Sequence, residues 1–495
     1  MKLSKFRKLL FLSLFFLIVI TGINLKSTFN KSTLNPVAKR PPNILFILTD
    51  DLDNASVAYM PHVKSLLIER GVSFTNYFVN VSLCCPSRAT ILRGQYAHNT
   101  GVLNNNFRQG SFVVFYQSGK EKSTIATWLQ KKSYRTALFG KYLNGYASGV
   151  PRTYVPPGWD RWVVPVRGGD YFGYNYTLNE NGKLVSYGNR PQDYGTDVYT
   201  DKAKQFIIQA AKANQPFFVY LAYYAPHQPA TPAPRHQNLF PDARAPRTPA
   251  YNEADVSDKP QYIRELPFLD KQQQTHIDQL YQKRLRSLQA VDESLLSLYD
   301  TLKTTNQLDN TYIFFTSDNG FHLGQHRLPP GKETAYEEDI HVPLFVRGPD
   351  VPTGKVVQEI VGNVDLAPTF AELAGANIPD FVDGRSFAQL LRHQLSSSDS
   401  WRKVFLLEYW PNSKKTSLIP KYSGLRTASC TYVEYKTGER ELYDFKQDPD
   451  QLQNLAKTTK PDVIKQYARR LAQLRRCSGK SCRASDAQPL SSCAG

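Results

Sequence analysis

Four short apolar runs in this chain of 495 residues each lead into polar residues with reactive side chains. The runs cover residues 44–48, 136–139, 217–221 and 312–315, and the polar residues that follow them are Asp50, Asp51, Lys141, His227, Asp318 and Asn319. Continuous apolar runs of this length are typical of strands covered on both faces, as in a parallel sheet between helices. Binding sites in open α/β sheets form beyond the carboxyl ends of the strands. The pattern therefore predicts an α/β fold in which these polar residues share one pocket.

The stretches between the runs predict helices and one long insertion. Apolar side chains recur in steps of three and four along one stretch, which marks the core-facing side of a helix. These side chains are Leu285, Leu288, Val291, Leu295, Leu298 and Leu302. Residues 228–270 are rich in Pro and polar residues, so they predict an ordered surface insertion. We therefore expect a large central sheet, mixed but mostly parallel, sandwiched by helices.

The last hundred residues have a different pattern. Residues 395–400 have the composition of a linker, and short strand-like segments follow at 404–407, 432–435 and 441–444. A final helix is predicted to start near Pro461. This pattern indicates a small antiparallel sheet packed with one helix. The expected division is a catalytic domain over 42–400, a C-terminal subdomain over 401–476 and a cysteine-containing tail over 477–495.

The N-terminus has the pattern of an export signal. Basic residues precede an apolar run over 9–23, which is short for a membrane span and suits a signal peptide. No clear cleavage site follows, so residues 1–41 are predicted to be either a signal peptide or an uncleaved signal anchor with a linker. We expect the protein to be exported, with any membrane attachment limited to residues 9–23. Export permits disulfides, and a local Cys477–Cys482 bridge is plausible, although sequence does not fix the pairing.

A formal net charge of +18 raises the question of an acidic partner. The chain shows no nucleic-acid-binding module and its basic residues are dispersed, so we expect no nucleic-acid partner. A polyanionic substrate would be attracted by the same charge, and a solvated basic surface without a partner is the alternative. Four sequons would make the chain a glycoprotein in a host that glycosylates exported proteins. They lie at Asn30, Asn54, Asn80 and Asn175.

The segment Cys84-Cys85-Pro86-Ser87-Arg88 is the most distinctive motif of the chain. Proline is favoured at a helix start and apolar residues follow, so the segment predicts a short helix with its cysteines at the N-terminus. Free N–H groups and the helix dipole favour an anion there. A vicinal disulfide, a structural zinc site and two buried thiols are the alternatives. Zinc is disfavoured because the usual paired Cys/His spacings are missing.

Three carboxylates and one amide at two strand ends form a second candidate site. Asp50, Asp51, Asp318 and Asn319 offer hard oxygen ligands, which suit calcium or magnesium better than zinc or copper. Aspartates at strand ends also serve as helix caps or as partners of arginine. Because an Asp-Asp pair and an Asp-Asn pair are both present, we favour metal binding, with calcium ahead of magnesium.

The motif at Cys84 resembles the signature of the type I sulfatases, formylglycine-dependent members of the alkaline phosphatase superfamily. In that family the first cysteine of the motif is oxidised to formylglycine, so the resemblance implies that Cys84 is the modified position. The resemblance covers about residues 42–476. Further segments similar to the family lie at 134–141, 225–227, 316–320, 331–332, 441–444 and 448–449. Residues 140–144 and 318–322 look most like the N-acetylglucosamine-6-sulfatase and extracellular heparan endosulfatase branch.

The resemblance implies a role for each candidate residue. The metal ligands would be Asp50, Asp51, Cys84, Asp318 and Asn319. Arg88 and Lys141 would contact the sulfate, and His227 with Lys332 would protonate the leaving alcohol. His322 is a further candidate for substrate binding or proton donation, and His98 is expected to support the site from outside or to be structural. The implied partners are a sulfated small molecule or glycan and a formylglycine-generating enzyme.

One position departs from the family pattern. Many sulfatases carry histidine two residues after the signature lysine, where this chain has Leu143. The proton for the leaving group must then come from another residue. Two other functions stay open at this point. One is a phosphodiesterase or phosphonate monoester hydrolase on the same fold, and the other is a non-catalytic glycan-binding protein in which Cys84 remains a thiol.

Overall fold

A computed structural model describes residues 40–392, 401–413 and 417–493. Residues from Arg40 onward form one compact unit. The predicted export signal at 9–23 and the predicted linker at 395–400 lie outside the described residues. No helix in the described part of the chain is long and apolar enough to cross a membrane.

A ten-stranded sheet forms the centre of the fold, in the order β11-β2-β10-β9-β1-β8-β4-β5-β6-β7. Its strands are β1 (Asn43–Asp50), β2 (Val72–Phe74), β4 (Arg135–Gly140), β5 (Arg161–Gly168), β6 (Tyr176–Glu180), β7 (Lys183–Tyr187), β8 (Phe217–Pro226), β9 (Thr311–Ser317), β10 (Leu344–Arg347) and β11 (Lys355–Val357). The five central strands from β9 to β5 run parallel, and antiparallel pairs occur towards both edges. The predicted mixed, mostly parallel sheet is confirmed. Two further strands, β3 (Tyr77–Phe78) and β12 (Val361–Gly362), pair with each other outside it.

The described residues form thirteen α-helices, several of which cover the two faces of this sheet. They are α1 (Pro61–Val63), α2 (Cys84–Arg93), α3 (Ala97–Thr100), α4 (Ser111–Gln117), α5 (Ile125–Gln130), α6 (Gly195–Lys212), α7 (Gln261–Arg264), α8 (Lys271–Thr304), α9 (Glu337–Ile340), α10 (Leu366–Leu373), α11 (Ala388–Leu391), α12 (Pro461–Leu474) and α13 (Lys480–Asp486). Alternate side chains of β1 enter opposite cores: Phe46 packs with α2, α5 and α10, whereas Ile47 packs with α6 and α8. A strand covered in this way has no polar face, which explains its continuous apolar run.

The long helix α8 carries the apolar stripe predicted from the sequence. The Asp270 carboxylate caps its N-terminus by accepting a hydrogen bond from the backbone N–H of Gln273, and the backbone N–H of Asp270 donates in turn to the Gln273 Oε1. The predicted insertion at 228–270 is ordered and packs beside α8 and the segment that follows β9. It therefore lies next to one of the strand ends that carry polar residues.

The C-terminal part contains the predicted antiparallel sheet with one strand more than the sequence indicated. The strands are β13 (Val404–Tyr409), β14 (Tyr422–Thr427), β15 (Cys430–Tyr435) and β16 (Arg440–Asp444). Strand β14 escaped prediction because it has no continuous apolar run and contains Gly424, where a Cβ would lie 2.7 Å from the Tyr432 carbonyl oxygen. The predicted final helix is α12, which begins at Pro461.

Two disulfides hold the C-terminal tail. The Cys477–Cys482 bridge that the sequence made plausible is present. A second bridge joins Cys430 to Cys493 across 63 residues, a pairing that spacing alone does not reveal. The tail between these bridges is not extended, since it forms α13.

The sequon at Asn80 is buried in the fold. The Asn80 amide donates hydrogen bonds to the Leu406 carbonyl and to the Glu408 carboxylate, at 2.9 and 3.3 Å. This side chain is therefore a structural link to β13. The sequon asparagines Asn54 and Asn175 are exposed, although the Asn54 amide donates a hydrogen bond to the His341 carbonyl at 2.8 Å.

Candidate active site

Parallel strand pairing brings the polar residues at the strand ends together. Thr49 of β1 lies opposite Ser317 of β9, and Asp50 lies opposite Pro226 of β8. The residues that follow these strands and β4 therefore emerge at one edge of the sheet. They are Asp51, Lys141, His227, Asp318 and Asn319. Asp51 has a φ of 66°, so the chain turns sharply as soon as β1 ends.

Cys84 is the first residue of α2, and it faces this cluster. Its Sγ lies 3.3 Å from the Asp50 carboxylate and 2.8 Å from the Lys332 Nζ. Cys85 belongs instead to the apolar core on the same face of the sheet. Both cysteines are free thiols, so no vicinal disulfide forms. Burial raises the pKa of each to about 12, so neither is a thiolate at neutral pH.

Arg88 is 1% exposed and fixed on two sides. Its Nε donates to the Asp318 carboxylate at 2.7 Å, and its Nη1 donates to the Lys141 carbonyl at 2.8 Å. Its Nη2 makes no hydrogen bond and lies 3.7 Å from the Asp50 carboxylate. A buried guanidinium with an unused donor suits an anionic oxygen in the pocket.

Two buried lysines neutralise the paired aspartates. Lys141 Nζ contacts the Asp50 carboxylate, and Lys332 Nζ contacts the Asp51 carboxylate. Burial disfavours both ammonium groups, yet the carboxylates outweigh it and hold the lysine pKa values well above the ordinary range. Burial also acts to raise the pKa of Asp51, but Lys332 and His227 lower it to about 2. Both pairs are therefore ionised at neutral pH.

The residues present fit a hard divalent cation. Asp50, Asp51, Cys84 and His227 each offer a ligand atom, and these atoms lie within 4.8 Å of one another. The Asn319 Nδ2 donates to Asp51 at 2.7 Å, which leaves the buried Asn319 Oδ1 without a hydrogen-bond partner. An orphaned amide oxygen beside carboxylates matches the oxygen ligands that Ca²⁺ and Mg²⁺ prefer.

His227 lies at the open side of the cluster. Its Nδ1 is 2.6 Å from the Gln228 carbonyl, an acceptor, so this nitrogen carries a proton. Its Nε2 lies 3.6 Å from the Asp51 carboxylate, and the side chain is 23% exposed. The fixed ring leaves Nε2 as the nitrogen that can exchange a proton with a bound molecule.

The two other predicted histidines lie further out. His322 Nδ1 is 3.0 Å from the Asp339 carboxylate, and its backbone pairs with that of Gly331, the residue before Lys332. His322 thus helps to hold the loop that carries Lys332. His98 has its ring nitrogens 3.0 Å from Glu408 and from the Cys477 carbonyl, so it joins α3 to the C-terminal region.

Sequence reasoning missed Tyr171, whose ring packs on His227 with 4.6 Å between the ring centroids. Asn144 donates from its Nδ2 to the Tyr171 hydroxyl at 3.3 Å. Both residues line a cleft of about 300 Å³ together with Lys141 and Asp170. The only available signal was the position of Asn144 three residues after Lys141. Tyr171 lies outside every apolar run and every motif.

Comparison with known proteins identifies the family of this chain. The sulfatase family model matches residues 42–376, and the model of the N-sulphoglucosamine sulphohydrolase C-terminal region matches residues 324–477. Human N-acetylglucosamine-6-sulfatase is 36% identical over 485 residues, covering 90% of this chain and 86% of that protein. A Sulf-1 homologue of the extracellular sulfatases in Caenorhabditis elegans is 39% identical over 391 residues, covering 77% of this chain but only 54% of that protein.

The solved structures add a neighbour with bound substrate. The structure of BT4656 in complex with its substrate D-glucosamine-2-N,6-O-disulfate has a TM-score of 0.75 and 26% identity, and covers 90% of this chain and 99% of that one. A phosphonate monoester hydrolase from Silicibacter pomeroyi has a TM-score of 0.66 at 24% identity, which supports the shared fold alone. With a family model over most of its length and the relatives above, this chain belongs to the sulfatase family of sulfuric ester hydrolases.

Proposed function

We propose that this protein is an exported sulfatase that removes sulfate from glucosamine units of a sulfated glycan, using a formylglycine made from Cys84 and a bound calcium ion. The observation that carries the proposal is the position of Cys84. It is the first residue of a buried helix, between the Asp50 carboxylate and the Lys332 ammonium. Cys85, one residue on, points into the core and meets none of these groups.

One set of residues would hold both groups that the proposal requires. A hydrated formylglycine made from Cys84 would provide the hydroxyl nucleophile. Calcium held by Asp50, Asp51, Asp318, Asn319 and residue 84 would supply positive charge to the sulfate oxygens. The balance of buried charges supports such an ion. The three carboxylates face three cations, Arg88, Lys141 and Lys332, so the pocket has no net positive charge for an anionic ester without it.

The chain's own cations surround the place where the sulfate would bind. Arg88 Nη2 has a hydrogen-bond donor that no protein group among the described residues uses. The ammonium group of Lys141 contacts Asp50 and that of Lys332 contacts Asp51, so the two cations lie beside different aspartates near residue 84. Fixed donors in a buried site stabilise charge that develops on the sulfate oxygens without having to reorganise. We assign delivery of a proton to the leaving alcohol to His227, whose Nε2 lies 3.6 Å from Asp51, with assistance from Lys332, whose Nζ lies 2.8 Å from the Cys84 Sγ.

The choice of substrate rests on the relatives and on charge. The human relative is an N-acetylglucosamine-6-sulfatase, and the BT4656 structure holds a sulfated glucosamine. A net charge of +18 would attract a polyanionic glycan. Export is supported by the N-terminal pattern at 9–23 and by the extracellular relatives. The maturation partner would be a formylglycine-generating enzyme.

The decisive experiment uses the whole protein made with and without a formylglycine-generating enzyme. Mass spectrometry of the peptide containing Cys84 should show loss of sulfur and gain of oxygen, together with an aldehyde that reacts with a hydrazide. Activity on glucosamine 6-sulfate should rise in proportion to this conversion, and an aryl phosphate should be a poorer substrate than the matching aryl sulfate. An unconverted thiol in protein that still binds sulfated glycan would favour the non-catalytic alternative. A faster rate on the phosphate would favour the phosphonate hydrolase alternative.

A further inference from the structure

The position two residues after Lys141 gives the pocket no polar group. Leu143 is 2% exposed and packs in the apolar core below the sheet edge. Tyr142 and Asn144 also line the cleft, but the Tyr142 hydroxyl donates to the Glu121 carboxylate at 2.8 Å. The Asn144 amide nitrogen donates to the hydroxyl of Tyr171, on a short helical turn after β5.

Tyr171 contacts both His227, the candidate proton donor, and Lys141, one of the cations proposed to bind the sulfate. Its ring packs against His227 on one side and against Tyr224 on another, with centroids 4.6 and 4.8 Å apart. Lys141 Nζ lies 5.1 Å from the ring centroid, within the range of a cation–π contact. The ring is thus held by contacts on several sides.

The hydrogen bond that reaches the Tyr171 hydroxyl uses its oxygen and leaves its hydrogen without an acceptor among the described residues. A phenol oxygen accepts up to two hydrogen bonds and donates one. Asn144 Nδ2 is a donor, so it uses the accepting side of the oxygen. Within the described part of the chain no acceptor takes the hydroxyl hydrogen. A protonated phenol next to the sulfate site is therefore a hydrogen-bond donor with no protein partner.

We propose that Tyr171 contacts the substrate and donates its hydroxyl hydrogen bond to the bridging oxygen of the sulfate ester, with Asn144 as a positioning residue. This inference rests on the proposed sulfatase function. The bridging oxygen is the target because Tyr171 lies on the His227 side of the pocket and borders the cleft that would take the alcohol portion. Negative charge grows on that oxygen as the S–O bond breaks, so the hydrogen bond strengthens in the transition state and lowers the barrier.

The test compares leaving groups in Tyr171→Phe. This variant keeps the ring contacts and removes only the hydroxyl. We expect kcat on glucosamine 6-sulfate to fall about 10²-fold, the size of effect seen when one preorganised donor is removed. The rate on 4-nitrophenyl sulfate should change little, because its leaving oxygen is already stabilised. Tyr174→Phe is the matched control, since it removes a nearby buried hydroxyl that has no hydrogen-bond partner and does not line the cleft.

A second variant tests the positioning role. Asn144→Leu should lower kcat on the sugar sulfate in the same leaving-group-dependent manner, and the double variant with Tyr171→Phe should lose no more than Tyr171→Phe alone, because Asn144 acts through that hydroxyl. Formylglycine content and thermal unfolding are measured for every variant, and rates are normalised to the converted fraction.

Three outcomes would overturn the inference. Unchanged sugar-sulfate turnover in Tyr171→Phe would show that the hydroxyl does not contact the ester. Equal losses on sugar and aryl sulfates would show that it does not act on the leaving oxygen. A converted parent protein with no sulfatase activity would overturn the proposed function and this inference with it, whereas the first two results leave the proposed function intact.

Discussion

Lys332 Nζ lies 2.8 Å from the Sγ of Cys84, although 248 residues separate them in the chain. The same ammonium contacts the Asp51 carboxylate at the end of β1. Three distant segments thus meet at one atom, and the loop that delivers Lys332 is itself held by the backbone pairing of His322 with Gly331. A change at residue 84 would therefore alter the surroundings of the Lys332 ammonium and the Asp50 carboxylate directly, and those of Asp51 through Lys332.

The two adjacent cysteines should respond differently to the same substitution. Cys84→Ser should abolish turnover, because the proposed nucleophile is lost. Cys85→Ser should keep much of the turnover per formylglycine but unfold more easily, since an unpaired hydroxyl in the core costs about 1–3 kcal/mol. Sulfatase assays and urea unfolding of both variants check this. A formyl group found at position 85 would contradict the assignment.

Removal of the orphaned amide oxygen should empty the cation site. Asn319→Leu should lose bound calcium and activity together, because few oxygen ligands are available to replace it. Asp50→Ala and Asp318→Ala should do the same. Elemental analysis of purified protein gives the metal content, with Asn310→Leu at the exposed end before β9 as the control. Active protein that contains no divalent ion would rule out this site.

Loss of His227 should depend on the leaving group. His227→Ala should slow hydrolysis of a sugar sulfate by roughly 10²–10⁴, the usual contribution of a general acid. A nitrophenyl sulfate, whose phenolate leaves without help, should be affected much less. The ratio of the two rates in variant and parent is the measurement, and His276→Ala on the exposed side of α8 is the control. Equal losses would assign His227 to sulfate binding and move the proton donor to Lys332 or His322.

The His98–Glu408 contact should make stability depend on pH. Burial acts to lower the pKa of His98, but the hydrogen bond to Glu408 outweighs it and raises the pKa to about 9. A raised pKa means that the pair stabilises the fold fully below the unfolded pKa of about 6.5, and that this contribution is lost as pH rises through about 9. The difference in unfolding free energy between parent and His98→Asn should therefore shrink from pH 6 to pH 9.5. Urea unfolding at both pH values measures it, and a constant difference would contradict the assignment.

Continuous apolar runs made the strand ends predictable. Strands β1, β4, β8 and β9 are covered on both faces, so their sequences contain no polar alternation and stop abruptly at Asp50, Lys141, His227 and Asp318. Tyr171 gave no such signal, because its place beside His227 depends on how β5 and β8 are arranged in three dimensions. The Cys430–Cys493 bridge was hidden for the same reason, since it joins a strand to a tail 63 residues away.

All ten residues of α2 are buried, and Cys84 is 1% exposed. An enzyme that oxidises this thiol must bring its own catalytic groups to the sulfur, and the folded protein leaves no room for them. If Cys84 is converted as proposed, we expect the oxidation to occur before residues 84–88 form the helix. On that proposal, protein that folds with the thiol intact would not be converted afterwards, so a more stable fold would not raise the converted fraction.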